Sequence, residues 1–311
     1  MKSGMKRFIF YGLFISIVVL LVIYIQEHLF MFSTLRLVNS WMIIILGLIV
    51  LINSTLNGLV TDALVSVFGI RLSVKEWFGL SIITTFYNTF TPFRGGMMAR
   101  AAYLKEKHNF PYTNFLAALM GTYVIDFMVY SLFGLISLIL LYNEMKVFSW
   151  IVLLIFLAFF IPLLIILVFS PSFMESRNKY LNKIIRVLNG WNLIRKNRRM
   201  VATSFIRNIL QVIIMTTGTL LSYSIFGIHI SIAAALFLTT LGLLGMIISI
   251  APAGLGIPQV IAIFSALVIN ISPAQSLPVS LLNSAVLILI VFSLGPIFSY
   301  LLIKHKPKEK K

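Results

Sequence analysis

The sequence predicts an all-α, polytopic membrane protein with about eight transmembrane helices and one or two re-entrant or broken segments. Of its 311 residues, 60% are hydrophobic and only 11% are charged, whereas about a quarter of the residues of a soluble domain are charged. Several apolar windows exceed the roughly 18 residues that cross a bilayer. We therefore interpret the whole chain, 1–311, as one integral membrane domain.

The first half of the chain, about 1–170, contains four predicted spanning helices with a broken segment between the second and the third. The first follows a basic N-terminus and precedes no small-residue cleavage site, so we interpret it as a retained helix rather than a signal peptide. The apolar runs place these helices at about Phe8–Ile25, Trp41–Val60, Asn114–Leu141 and Phe148–Phe169.

The second half, about 201–303, contains four more apolar segments. They lie at about Thr203–Phe226, Ile232–Ile250, Val260–Ile269 and Leu277–Ile303. The middle two are also compatible with a re-entrant pair, because neither alternative changes the side on which the chain ends. A polar, basic linker at about 171–200 separates the halves, and a short basic tail, 304–311, follows the last helix.

The distribution of positive charge predicts the topology. The formal net charge is +17, and the basic residues cluster in the N-terminus, two loops, the linker and the tail. The positive-inside rule places these segments, and both termini, on the cytoplasmic side of the cell membrane. If Phe78–Phe90 crossed the membrane, the basic residues of 94–107 would lie outside, so we predict a re-entrant hairpin over 77–104. The charge indicates contact with membrane phospholipids and no direct nucleic-acid partner.

Composition and motifs argue against most enzyme classes. The chain has no cysteine and its four histidines are far apart in sequence, so we expect no metal site and no thiolate nucleophile. It lacks a P-loop, an H-E-x-x-H motif and a G-x-S-x-G motif. We therefore predict no catalytic residues and no cofactor.

The first broken segment combines groups that suit an anionic headgroup. Two glycines allow close backbone approach, the start of the following helix presents free N–H groups, and arginine matches the geometry of phosphate. The alternative is a cytoplasmic loop with ordinary positive-inside arginines. The predicted headgroup-binding residues here are Asn88, Pro92, Arg94, Gly95, Gly96 and Arg100.

The second broken segment, Pro252–Gln259, offers Gly254, Gly256 and Gln259 to the same site. It carries no positive charge, so we expect backbone amides and a flexible hinge from it, and a tight turn between helices is the alternative. Interrupted segments in corresponding positions of two halves point to a transporter site built between repeats. The pair therefore predicts a possible two-repeat architecture.

Asp126 is the one carboxylate near the middle of a predicted helix. Acids inside the membrane are costly and mark functional or paired positions. Asp126 is predicted to be a charge partner of Arg94 or Arg100, or to carry a coupling proton.

Together the two broken segments resemble a known family. The pattern N-x-x-x-P-x-x-G-G-x-x-x-R-x-x-x-L at Asn88–Leu104, followed by P-x-G-L-G-x-x-Q at Pro252–Gln259, resembles the membrane domain of lysyl-phosphatidylglycerol synthases. The family commonly has glutamate where this chain has Gln259. The resemblance implies a flippase-like domain, here expected to stand alone without the soluble aminoacyltransferase domain.

The leading functional hypothesis is a flippase-like transporter that moves an anionic or aminoacylated phospholipid between leaflets. One alternative is a phosphatidylglycerol lysyltransferase, or the membrane subunit of one. Another is a membrane scaffold for a separate glycosyl- or aminoacyltransferase. The first requires lipid movement by the protein alone, the second a lysyl-lipid product and the third a co-purifying enzyme.

Overall fold

The computed structural model describes residues 37–91, 95–169, 172–174, 181–182, 185, 189–245 and 257–303, and the chain within these ranges is helical and contains no strand. This agrees with the predicted all-α membrane fold. The helices are numbered here α1 Met42–Ser66, α2 Val74–Phe90, α3 Gly95–His108, α4 Tyr112–Met145, α5 Trp150–Phe169, α6 Gly190–Ile194, α7 Arg198–Ile225, α8 Ile232–Gly245, α9 Ile257–Val268 and α10 Pro273–Ile303.

Five of these helices, α1, α4, α5, α7 and α10, are long and apolar enough to cross a membrane. They correspond to five predicted spans, with ends that differ by a few residues. The helix predicted at Asn114–Leu141 runs on to Met145, and Lys146 ends it in a left-handed conformation with φ 56°. The predicted first span, Phe8–Ile25, lies outside the described residues.

Helices α2 and α3 form the first hairpin. Ser73 begins α2 with a capping box, since its side chain accepts the Glu76 N–H and Glu76 accepts the Ser73 N–H. Gly96 packs so closely on α2 that a methyl group there would collide with the carbonyl oxygen of Thr84. Further along, His108 at the end of α3 meets Glu76 at the start of α2. The arms are therefore antiparallel, and the chain enters and leaves the hairpin at one end, as 77–104 was expected to do.

Helices α8 and α9 form a second hairpin. Their described residues lie on either side of residues 246–256, which are outside the described ranges. A methyl group on Gly245 would collide with Ile261, so the arms meet beside the break. The hairpin fits the predicted re-entrant pair, and the alternative of two full spans, which involves residues 246–250 outside the described ranges, stays a prediction.

The two hairpins enter the bundle from opposite ends. Helices α1 and α7 are antiparallel, since Val38 before α1 donates its N–H to the carbonyl of Ile225, the last residue of α7. Asn53 and Gln211 are bonded to each other near the middle of the two helices. The first hairpin follows the end of α1 and the second follows the end of α7. The order span, hairpin, span thus occurs twice, in opposite directions.

Part of the basic linker packs into the bundle. Trp191 and Ile194 of α6 are buried, and a methyl group on Gly121 of α4 would lie 2.7 Å from the carbonyl oxygen of Gly190. Small residues on both sides let the two backbones approach closely. The sequence predicted only a polar connection here, so this docking is a correction.

Candidate functional site

Arg100 of α3 is the buried cation of the first hairpin. Its exposed fraction is 9%, and it lies one helical turn after Gly96, on the face of α3 that packs against α2. Its Nε donates to Thr84 Oγ1 at 2.8 Å and its Nη1 to Thr61 Oγ1 at 3.0 Å. These bonds hold the guanidinium between α1 and α2, among apolar side chains.

No carboxylate of the described residues forms an ion pair with Arg100; their two ion pairs join His108 to Glu76 and Arg207 to Asp126. The two threonine hydroxyls accept hydrogen bonds from the guanidinium, but they carry no negative charge to balance it. A buried charge is costly unless it is paired, and arginine stays protonated in proteins. The position therefore suits an anion, and the guanidinium geometry suits a phosphate.

The residues around the break between α2 and α3 show whether the backbone N–H groups at the start of α3 are already bonded. Asn88 Oδ1 accepts the backbone N–H of Gly96 at 2.9 Å, so Asn88 satisfies one of the free donors at the start of α3. Gly95 packs on Thr91. The expected phosphate contact at the Gly96 amide is therefore already taken by a side chain. Pro92 and Arg94 lie outside the described residues.

Asp126 pairs with an arginine from the second half of the chain. Its Oδ1 accepts from Arg207 Nη2 and from Asn208 Nδ2, each at 2.8 Å, and all three residues are buried. Its expected pairing with Arg100 is wrong, because Arg100 bonds to threonines of α1 and α2, while Asp126 on α4 faces α7. The other expected partner, Arg94, is not among the described residues.

The Asp126 pair belongs to a larger polar network. Tyr130 donates its hydroxyl to Gln211 Oε1 at 2.8 Å, and Gln211 Nε2 donates to Asn53 Oδ1 at 2.9 Å. Arg207 also donates to Gln211. The network joins α1, α4 and α7, which come from both halves. Sequence reasoning missed it although Arg207, Asn208 and Gln211 lie inside a predicted span, where an arginine is itself a signal.

Gln259 marks the second hairpin's contact with α10. Its exposed fraction is 4%, and its Nε2 donates to Ser284 Oγ at 3.0 Å. From the first hairpin, the ring of Phe86 lies 5.6 Å from that of Phe292. Ser284 and Phe292 are eight residues apart, about 12 Å along a helix. Both hairpins thus reach neighbouring parts of α10, while Gly254 and Gly256 fall outside the described residues.

Glu76 closes the open end of the first hairpin. It accepts from Tyr103 Oη at 2.8 Å and lies 3.1 Å from His108 Nε2. Burial raises the pKa of this carboxyl, but hydrogen bonds from Ser73, Tyr103 and His108 outweigh burial and lower the pKa to about 2. The carboxylate therefore stays ionised at neutral pH and holds the two arms together.

Comparison with known proteins gives one match. The family model described as the lysylphosphatidylglycerol synthase TM region matches residues 9–295. The matched range includes both broken segments and both halves, and it confirms the resemblance drawn from the sequence. No curated protein and no solved structure matches the chain.

Proposed function

Because the chain belongs to the lysylphosphatidylglycerol synthase TM-region family, we propose that it is a flippase-like transporter. It moves an anionic or aminoacylated phospholipid between the leaflets of the cytoplasmic membrane. The observation that carries the proposal is Arg100, a buried guanidinium held by two threonines, with no ion-pair partner among the described residues. A lipid phosphate supplies the opposite charge that this position lacks.

The arrangement of the hairpins supports a path for the headgroup. In known transporters, discontinuous segments from two inverted repeats meet at the substrate site. Here two hairpins enter from opposite ends and reach neighbouring parts of α10. Irregular backbone at membrane depth is tolerated where it lines a polar cavity or is buried in protein. The headgroup passes between the hairpins while the acyl chains stay in the bilayer.

The proposal predicts that purified protein in liposomes accelerates the movement of phosphatidylglycerol that carries a fluorophore on an acyl chain. The Arg100→Gln variant should lower that rate at least tenfold, because it removes the charge that binds the phosphate. Arg100→Lys should keep part of the rate. The control is Arg199→Gln, which changes an exposed arginine and should leave the rate unchanged.

Two results contradict the proposal. One is a full rate in a folded Arg100→Gln variant, with folding checked by gel filtration and thermal melting. The other is efflux of trapped glycerol phosphate at a rate that matches or exceeds lipid movement, which would assign the site to a soluble anion.

A further inference from the structure

We infer that Asn57 of α1 is a further headgroup-binding residue, which hydrogen-bonds the part of the headgroup that lies beyond the phosphate. The inference rests on the proposed function and adds a neutral contact to the charged contact at Arg100. It follows from the place of Asn57 on a polar stripe of α1 and from its side chain, which no described residue engages.

Three polar residues form this stripe along α1. Asn53, Asn57 and Thr61 are spaced four residues apart, so they lie on one face of the helix, one turn after another. At one end Thr61 accepts a hydrogen bond from Arg100 Nη1, and at the other Asn53 accepts one from Gln211. Asn57 lies about 6 Å along the helix from each of its two neighbours on the stripe. The stripe therefore connects the buried cation with the central polar network.

Asn57 faces the interior of the bundle rather than lipid. At about 100° per residue, it points about 180° away from Leu48 and about 160° away from Leu59, whose side chains are both exposed. Helix α2 packs on α1 at Gly58, and α7 packs on it at Ile49. These two contacts lie about 100° and 80° from Asn57, on opposite sides. The side chain is therefore directed into the gap between α2 and α7.

The side-chain amide of Asn57 is available to a ligand. In the described part of the chain, the backbone carbonyl of Asn57 accepts from Thr61 at 2.9 Å, but no residue is hydrogen-bonded to the amide. Leu46 and Leu64 on the same face are each only 4% exposed, whereas Asn57 is partly exposed. A polar group without a partner is costly at membrane depth. The space beside the amide and the absence of a described partner suit a polar ligand.

The distance to Arg100 decides which part of the lipid meets Asn57. A phosphate bound at Arg100 lies beside Thr61, and Asn57 is one turn further toward the middle of α1. The amide is uncharged and both donates and accepts hydrogen bonds. It therefore suits a hydroxyl, an amine or another polar group that the headgroup carries beyond its phosphate. A headgroup with only an alkyl group there gains nothing from it.

The test compares two lipids of equal charge in liposomes that contain the full chain, both labelled on the same acyl chain. Phosphatidylglycerol carries two hydroxyls beyond its phosphate, whereas phosphatidylpropanol has the same number of headgroup carbons and no hydroxyl. We expect the wild-type protein to move phosphatidylglycerol about fivefold faster, the factor that one net hydrogen bond supplies. Asn57→Leu should bring this ratio close to one, while Arg100→Gln should slow both lipids.

A matched control and a melting measurement separate headgroup binding from a structural role. Thr55→Val changes a polar residue about 160° round α1 from Asn57, which donates to the carbonyl of Leu51, and should keep the wild-type ratio. Asn57→Leu should melt at the wild-type temperature or higher, because the change removes no hydrogen bond of the described residues. The ratio is read within one preparation, so partial loss of folded protein does not affect it.

The outcomes separate this inference from the proposed function. An unchanged ratio in Asn57→Leu, a lower melting temperature of that variant, or equal movement of both lipids by the wild-type protein overturns the inference and leaves lipid transport intact. Movement of neither lipid by the wild-type protein overturns the proposed function, and the inference with it.

Discussion

Two buried arginines of this protein have different environments. Arg207 faces Asp126 in an ion pair between α4 and α7, whereas Arg100 is held by the hydroxyls of Thr61 and Thr84. We interpret the first as structural and the second as part of the lipid site. Both side chains are buried, and a buried charge is costly unless it is paired.

The residues of the site were only partly predictable from the sequence. Asp126 stood out as a costly acid in an apolar run, and pairing with an arginine was expected. The partner, Arg207, lies 81 residues further along the chain. A sequence shows that a buried charge needs a partner, but which helices are neighbours depends on packing. The expected use of the Gly96 amide by a phosphate likewise overlooked that Asn88, one turn before the break, could reach it.

The structural role of the Asp126 pair leads to a prediction. Asp126→Ala leaves Arg207 buried without its partner and should destabilise the protein by about 3 kcal/mol. The neutral double variant Asp126→Asn/Arg207→Gln should recover most of that loss and keep lipid movement. Thermal melting in detergent and the liposome assay measure the two effects. If Asp126 carries a coupling proton instead, the double variant will be stable and inactive.

At the scale of helices, the proline and glycine residues predicted where the helices break. They did not predict how long each helix is. The first break was expected and lies between α2 and α3. The second hairpin was only an alternative, since α8 and α9 are as apolar as a spanning helix and composition does not distinguish a span from a re-entrant arm. The docking of α6 on α4 depends on facing small residues, Gly190 and Gly121, a match that appears only in three dimensions.

Close contact between the arms of the first hairpin can be tested with a single methyl group. Gly96→Ala should force α2 and α3 apart, because the new Cβ collides with the carbonyl oxygen of Thr84. We expect a destabilisation of about 2 kcal/mol and a large loss of lipid movement. The matched control is Gly242→Ala in α8, where nothing lies within 4 Å of the added Cβ.

The control variant should melt at the same temperature as the wild type or slightly higher, since alanine favours helix by about 1 kcal/mol over glycine. Equal melting and equal transport for Gly96→Ala would show that the arms are not held as closely as described.

At the scale of the whole molecule, the two halves have opposite orientations. The sequence suggested two related halves, because each half contains an apolar segment interrupted by proline and glycine. The distribution of positive charge predicted that the first hairpin returns to its side of entry. The predicted topology, with a cytoplasmic linker and an outward helix after it, implies that the second pair begins on the opposite side. In the structure this opposite entry follows from the antiparallel packing of α1 and α7, in which Val38 meets Ile225 and Asn53 meets Gln211.

Opposite entry of the two hairpins is the central claim, and side-specific cysteine labelling tests it most directly. The chain has no cysteine, so single substitutions need no altered background. Lys107 lies in the last turn of the first hairpin and His229 precedes the second. Glu144, at the end of α4, is expected on the same side as His229. All three residues are exposed. An impermeant maleimide is applied to intact cells and to permeabilised cells.

We predict that His229→Cys and Glu144→Cys react in intact cells, while Lys107→Cys reacts only after permeabilisation, because the positive-inside rule places the basic end of the first hairpin on the cytoplasmic side. Labelling of Lys107→Cys and His229→Cys from the same side would contradict the inverted arrangement and the transport path built on it.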